Sequence, residues 1–140
     1  MSTGLEPLAT AVYNKLTSAG AFNTAMGGRI YFEEYKSADG SLPVTFPYCV
    51  YFFVSDVPQY TFNTAFEAIQ VQVSVFDKAS SATSMLSYLS SLHALMDYTS
   101  LTVTGWNSIV CERSSADLQI PDDDQIRQGI STYDILIQKI

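Results

Sequence analysis

The sequence predicts an α+β fold: a single antiparallel (mixed) β-sheet of about five to six strands, with two helices packed on one face and long projecting loops. Three observations carry that prediction. Two stretches, one near the N-terminus and one from Ser80 to Tyr98, place apolar residues at helical spacing. Phe66 to Asp77 alternates Ile69, Val71, Val73 and Val75 with Gln70, Gln72 and Ser74, the period of a sheet covered on one side. The order helix, three strands, helix, three strands joins neighbouring strands by turns, which favours antiparallel pairing. A chain of 140 residues fits one domain, residues 1–140, because two separate cores would each approach the lower size limit for stability.

The first helix starts at Thr3 to Glu6, the S/T-x-x-E spacing of a capping box, with Pro7 tolerated in the first turn. Leu5, Leu8, Val12 and Leu16 form its apolar stripe, and Gly20 is the expected residue just past its end. Phe22 to Gly28 reads as a loop, and Arg29 to Phe32 as a first strand. Glu33 to Pro47 reads as a long exposed loop. Tyr48 to Ser55 is a dense run of β-formers whose two faces both require cover. Asp56-Val57-Pro58 is expected to end it, with Gln59 to Ala65 as a turn.

After the Phe66–Asp77 strand, Ser80 or Ser81 caps the second helix. Ala82, Met85, Leu89, Leu92 and Met96 share its buried face, and Leu86 widens that stripe. Leu101 to Val103 is a short strand, Thr104-Gly105 a turn, and Trp106 to Arg113 another strand. Ser114 to Gln128 reads as a second long excursion, acidic in character. The last strand, Gly129 to Ile140, points Tyr133, Ile135 and Ile137 to one side.

Apolar residues make up 47% of the chain and charged residues 15%, against about 25% in ordinary globular domains. That shortage of surface charge predicts that part of the exterior is covered by other subunits. The net charge of −7 and the scattered Arg29, Arg113 and Arg127 exclude a phosphate-binding footprint, so sequence-specific nucleic-acid binding is not expected. No segment is apolar for long enough to span a bilayer, and the N-terminal residues lack the pattern of a secretion signal. The expectation is synthesis and retention in the cytoplasm, where Cys49 and Cys111 act as buried free thiols.

Catalytic chemistry finds few candidates. His93 is the sole histidine, placed mid-helix beside the apolar stripe, and neither zinc-ligand spacing nor a nucleophile–base pair is present. Asp122, Asp123 and Asp124 form the one carboxylate cluster, but three consecutive aspartates without the D-x-D-x-D-G pattern read as a solvated loop tip. Glu33-Glu34 and Gly27-Gly28 carry no metal or phosphate motif. The sequence therefore predicts no enzyme, no cofactor and no metal. A small-ligand module, with Phe52 and Trp106 lining an apolar pocket, is the alternative from a different class.

The landmarks Gly27-Gly28-Arg29-Ile30-Tyr31, then Phe46-Pro47-Tyr48-Cys49-Val50, then Val71 to Phe76 (V-Q-V-S-V-F), a helix rich in Ala, Ser and Leu, and a closing aromatic-aliphatic strand span nearly the whole chain. In that order they resemble the tail-completion, or tail-terminator, family of long-tailed bacteriophages and phage-like particles. The resemblance implies a homo-oligomeric ring, usually of six subunits, at the head-proximal end of the tail. Such a ring ends polymerisation of the tail-tube protein and joins the tail to the head connector or stopper, within a virion assembled in the host cytoplasm. A connector, stopper or tube component is the alternative in the same setting. Subunit contacts are expected at Tyr48, Tyr51, Phe53 and Tyr133 on the strands, and at Lys36 and Asp39 in the first long loop. Genome DNA would pass through the ring, and Asp122, Asp123 and Asp124 are expected to face that lumen as an acidic wall.

Overall fold

The computed structural model describes residues 4–33, 45–61, 63–78, 82–119 and 126–140. In chain order the elements are α1 (Leu5–Leu16), α2 (Ala21–Met26), β1 (Ile30–Phe32), β2 (Tyr48–Tyr60), β3 (Ala65–Asp77), α3 (Thr83–Met96), β4 (Trp106–Gln119) and β5 (Arg127–Lys139). The five strands form one sheet in the order β1-β2-β3-β5-β4. β1 runs parallel to β2, and the other neighbours are antiparallel. The result is the predicted α+β fold with a mixed sheet.

The core lies between the sheet and the helices, where the sequence periodicity places it. Ile69, Val71, Val73 and Val75 of β3 and Tyr133, Ile135 and Ile137 of β5 are buried against Leu8, Val12 and Leu16 of α1 and Met85, Leu89, Leu92 and Met96 of α3. Leu86 departs from the expected stripe and is 54% exposed. One turn of α3 sits directly over Gly129: a Cβ there would lie 2.8 Å from Met85 Sδ and 3.0 Å from the Leu89 methyls. A side chain there would displace the ends of Met85 and Leu89, so glycine suits the close approach of helix and strand.

Several boundaries differ from the sequence reading, each for a local reason. Thr3, the cap expected for α1, lies outside the described residues, and Glu6 is exposed. The N-cap of α1 is Gly4, and its N–H donates to Glu67 Oε2 of β3 at 3.1 Å. A carboxylate distant in sequence thus does what the third helical residue does in a capping box. Gly20 precedes α2 instead of following α1, which ends at Leu16. The stretch expected as a loop after Gly20 is helical because Phe22 and Met26, four residues apart, are both buried, and Gly27 (φ 62°) ends the helix in the left-handed region.

The strands are longer than expected. β2 continues through Asp56-Val57-Pro58 to Tyr60, paired with β3 over its length, while β1 covers only Cys49 to Tyr51 on its other side. Among the described residues Pro58 therefore has a strand on one side only, a position where proline is tolerated. β4 likewise runs past Arg113 to Gln119, so half of the expected second excursion is strand. Its residues Glu112 to Gln119 are all exposed, which removed the apolar alternation that marks a strand in sequence. Leu101 to Val103 forms no strand, only an isolated bridge between Val103 and Trp106. Ser80 and Ser81, the expected caps of α3, lie outside the described residues, and the helix follows Ala82.

Both cysteines are free and buried. Cys49 is on β2 and Cys111 on β4, three strand steps apart in the sheet order, roughly 14 Å at ordinary strand spacing. That separation excludes a bond between them within the chain.

Candidate functional site

The residues expected at a subunit interface divide into three groups. Tyr51 and Tyr133 lie inside the monomer, 2% and 0% exposed, so neither ring is available to a neighbour; this corrects the subunit contacts expected there. Alternation along β2 and β5 points both to the helix side, and each hydroxyl has an internal acceptor. Tyr51 donates to the Ala9 carbonyl at 3.2 Å, and Tyr133 to Asp97 Oδ1 at 2.8 Å. Tyr48 and Phe53 are half-buried. Tyr48 stacks on Phe76, with centroids 4.9 Å apart, on the face away from the helices. Phe53 packs against Phe32 at 5.6 Å on the helix side. Lys36, Asp39, Asp122, Asp123 and Asp124 lie outside the described residues.

A polar network that no sequence pattern announced crosses from α3 to the sheet. Arg113 forms a salt bridge with Asp97 at 3.4 Å and donates to His93 Nδ1, while His93 Nε2 lies 2.8 Å from Ser131 Oγ. A guanidinium can only donate, so Nδ1 accepts and the proton resides on Nε2, which donates to Ser131. Burial, helped by the adjacent Arg113 charge, holds His93 below its ordinary pKa despite Asp97. The Ser–His pair is thus reversed relative to a nucleophile and its base, and Ser131 is fully buried. Burial also pushes the Cys111 thiol up to about 12 and Cys49 higher still, so both are inert at neutral pH. Among the described residues there is no group of three or more His, Cys, Asp or Glu arranged to hold a metal ion.

At the other end of the sheet, Glu67 is 7% exposed beneath the start of α1. Its burial raises its pKa above the usual carboxylate range. Asp56 adds to that rise, whereas the Gly4 N–H and Lys139 oppose it. A raised carboxyl pKa means that the folded chain binds a proton the unfolded chain has released, so this contribution to stability falls as pH rises. The expected result is a melting temperature that declines as pH increases from Glu67's ordinary value, 4.5, through its raised one. Glu67→Gln should flatten that part of the profile, as a series of thermal melts would show.

Among the described residues no helix packs on the sheet face turned away from α1 and α3, although Val50 and Ser74 on it are buried. Its strand positions form cross-strand rows such as Ser55–Gln70–Asp134–Glu112 and Val50–Ser74–Ile130–Asp117. Among its described residues Glu112, Asp117 and Asp134 on the strands and Glu33 just past β1 are acidic, and no lysine or arginine falls on its strand positions. Arg113, Arg127 and Lys139 alternate to the helix side, opposite Tyr133, Asp77 and Trp106. Phe52 belongs to the uncovered face and Trp106 to the helix side, so the apolar pocket expected between them does not form. Several shallow depressions range from about 420 Å³, around Ala68, Gln70, Asp134 and Leu136, down to about 350 Å³ between α3 and β4, lined by Leu86, Leu89, Ser90, His93, Ala116 and Leu118.

No family model and no curated protein matches the sequence. The fold does have solved counterparts. A chain from the virion of a native gene transfer agent particle superposes with a TM-score of 0.82 at 11% identity, covering 99% of both chains. A second solved protein, which carries no descriptive name, matches with a TM-score of 0.52 at 11% identity over 99% of this chain and 97% of the other. At such identities the likeness is one of fold.

Proposed function

We propose that the chain is a non-enzymatic structural protein of a phage or phage-like virion, forming a ring at the head-proximal end of the tail. There it ends tail-tube polymerisation and joins the tube to the head connector or stopper. The observation that carries this reading is the full-length fold match to a chain of a gene transfer agent virion. It agrees with the order of landmarks that resembles the tail-terminator family. The low charge content and the uncovered sheet face support assembly with neighbours. The ring size implied by the resemblance is six.

The uncovered face is a suitable channel wall. It carries Glu112, Asp117 and Asp134 without a cation on the same strand positions, and an acidic wall does not trap a passing polyanion. Asp122, Asp123 and Asp124 follow β4 in sequence and are proposed to extend that wall.

Growth of tail tubes in the presence of the chain tests the role. A terminator added to polymerising tube protein should give shorter tubes with a ring at one end in negative stain. A chain that itself polymerises into filaments, or leaves tube length unchanged, contradicts it.

A further inference from the structure

We infer that neighbouring copies of this chain join head to tail, the aromatic patch of Phe32, Phe53 and Tyr13 at the β1 edge entering the groove between α3 and β4 of the next copy. The inference rests on the ring reading and names the surfaces that build the ring.

Phe32 is 37% exposed and Tyr13 44%, and the Phe32 ring lies 5.2 Å from Tyr51 and 5.6 Å from Phe53. Phe32 and Phe53 make an aromatic knob on the helix side of one sheet edge, and Tyr13 of α1 lies near Tyr51 beside it. At the opposite edge, the groove of about 350 Å³ is walled by Leu86 and Leu118, which are 54% and 48% exposed. A cavity of about 150 Å³ holds a benzene ring, so a groove of this size takes one or two aromatic side chains.

The register fixes their relative height. Phe32 pairs with Tyr51, Tyr51 with Val73, Val73 with Ser131, and Ser131 with Ala116. Knob and groove therefore occupy one transverse row of the sheet. Rotation about an axis parallel to the strands preserves height, so contacts at equal height close into a ring, whereas an offset would climb into a helix. The bulge between Arg113 and Ser115 and the proline at Pro58 disfavour plain edge-to-edge strand pairing, leaving side-chain docking as the mode.

The test uses the full chain. Oxidising the double variant Phe32→Cys with Ala116→Cys should yield a covalent ladder ending at the closed ring, while each single variant gives at most dimers. Leu86→Glu, on an exposed helix position, should leave the melting temperature unchanged and weaken self-association by about tenfold or more. Wild-type rings that persist with Leu86→Glu and give no ladder overturn this interface but leave the ring reading standing. Groove variants that lose binding to another virion protein while self-association survives overturn it too. A wild-type chain that is monomeric at every concentration, alone and with tube protein present, overturns both.

Discussion

Leu92→Ala should lower the free energy of unfolding by about 2–5 kcal/mol, while Leu86→Ala changes it by less than about 0.5 kcal/mol. Both residues belong to α3, both are leucines, and the sequence stripe includes both. The structure separates them: Leu92 is 0% exposed, whereas Leu86 is 54% exposed. Truncating Leu92 removes buried surface and leaves a void that its close-packed neighbours refill only in part. Since small domains are stable by about 5–15 kcal/mol, that loss is a large share of the total. Urea titrations give the answer as a shift in midpoint at constant slope. Equal effects at the two positions would mean that α3 is rotated relative to the sheet.

Trp106→Ala should destabilise by about 3–5 kcal/mol, the range for removing a large buried aromatic side chain. Trp106 opens β4 and is 6% exposed, with Leu101 and Val103 buried in the same cluster and the Lys139 ammonium 5.1 Å from its ring centre. It also stands 3.2 Å from where a Cβ on Gly4 would be, so it forms part of the floor beneath the start of α1. Trp106→Phe keeps an aromatic ring there and should lose less than half as much. Circular dichroism melts are the right measurement, because Trp106 is the chain's single tryptophan and its removal silences intrinsic fluorescence from that source.

The fold was legible wherever burial was one-sided. Alternation in β3 and β5 and the helical spacing of Leu8, Val12 and Leu16 all report a single covered face, and period alone identifies such elements. What escaped was structure held by distant partners. β4 beyond Arg113 is held by its ladder with β5 and not by burial, so its exposed residues Ser114 to Gln119 look like a loop in sequence. α2 is too short to show a period, although Phe22 and Met26 at four-residue spacing were its signal. The Gly4–Glu67 hydrogen bond joins residues 63 apart in sequence, beyond the reach of any local capping rule.

The site was legible only as an excess of apolar surface. Tyr51 and Tyr133, expected at subunit contacts, have their hydroxyls accepted by the Ala9 carbonyl and Asp97 within the monomer. The knob at Phe32 and the groove at Leu86 and Leu118 became visible only once the sheet order set them at opposite edges. The segregation of Glu112 and Asp134 from Arg113 and Lys139 required the bulges in β4 to be placed first, since each bulge reverses the alternation that follows it.

Native mass spectrometry of the purified chain, alone and after mixing with tail-tube protein, measures the central claim most directly. A closed ring predicts one dominant species at a fixed whole-number multiple of the 15.4 kDa chain, with no larger homologous species as concentration rises. A monomer under every condition, or a series of oligomers that lengthens without limit, would contradict it.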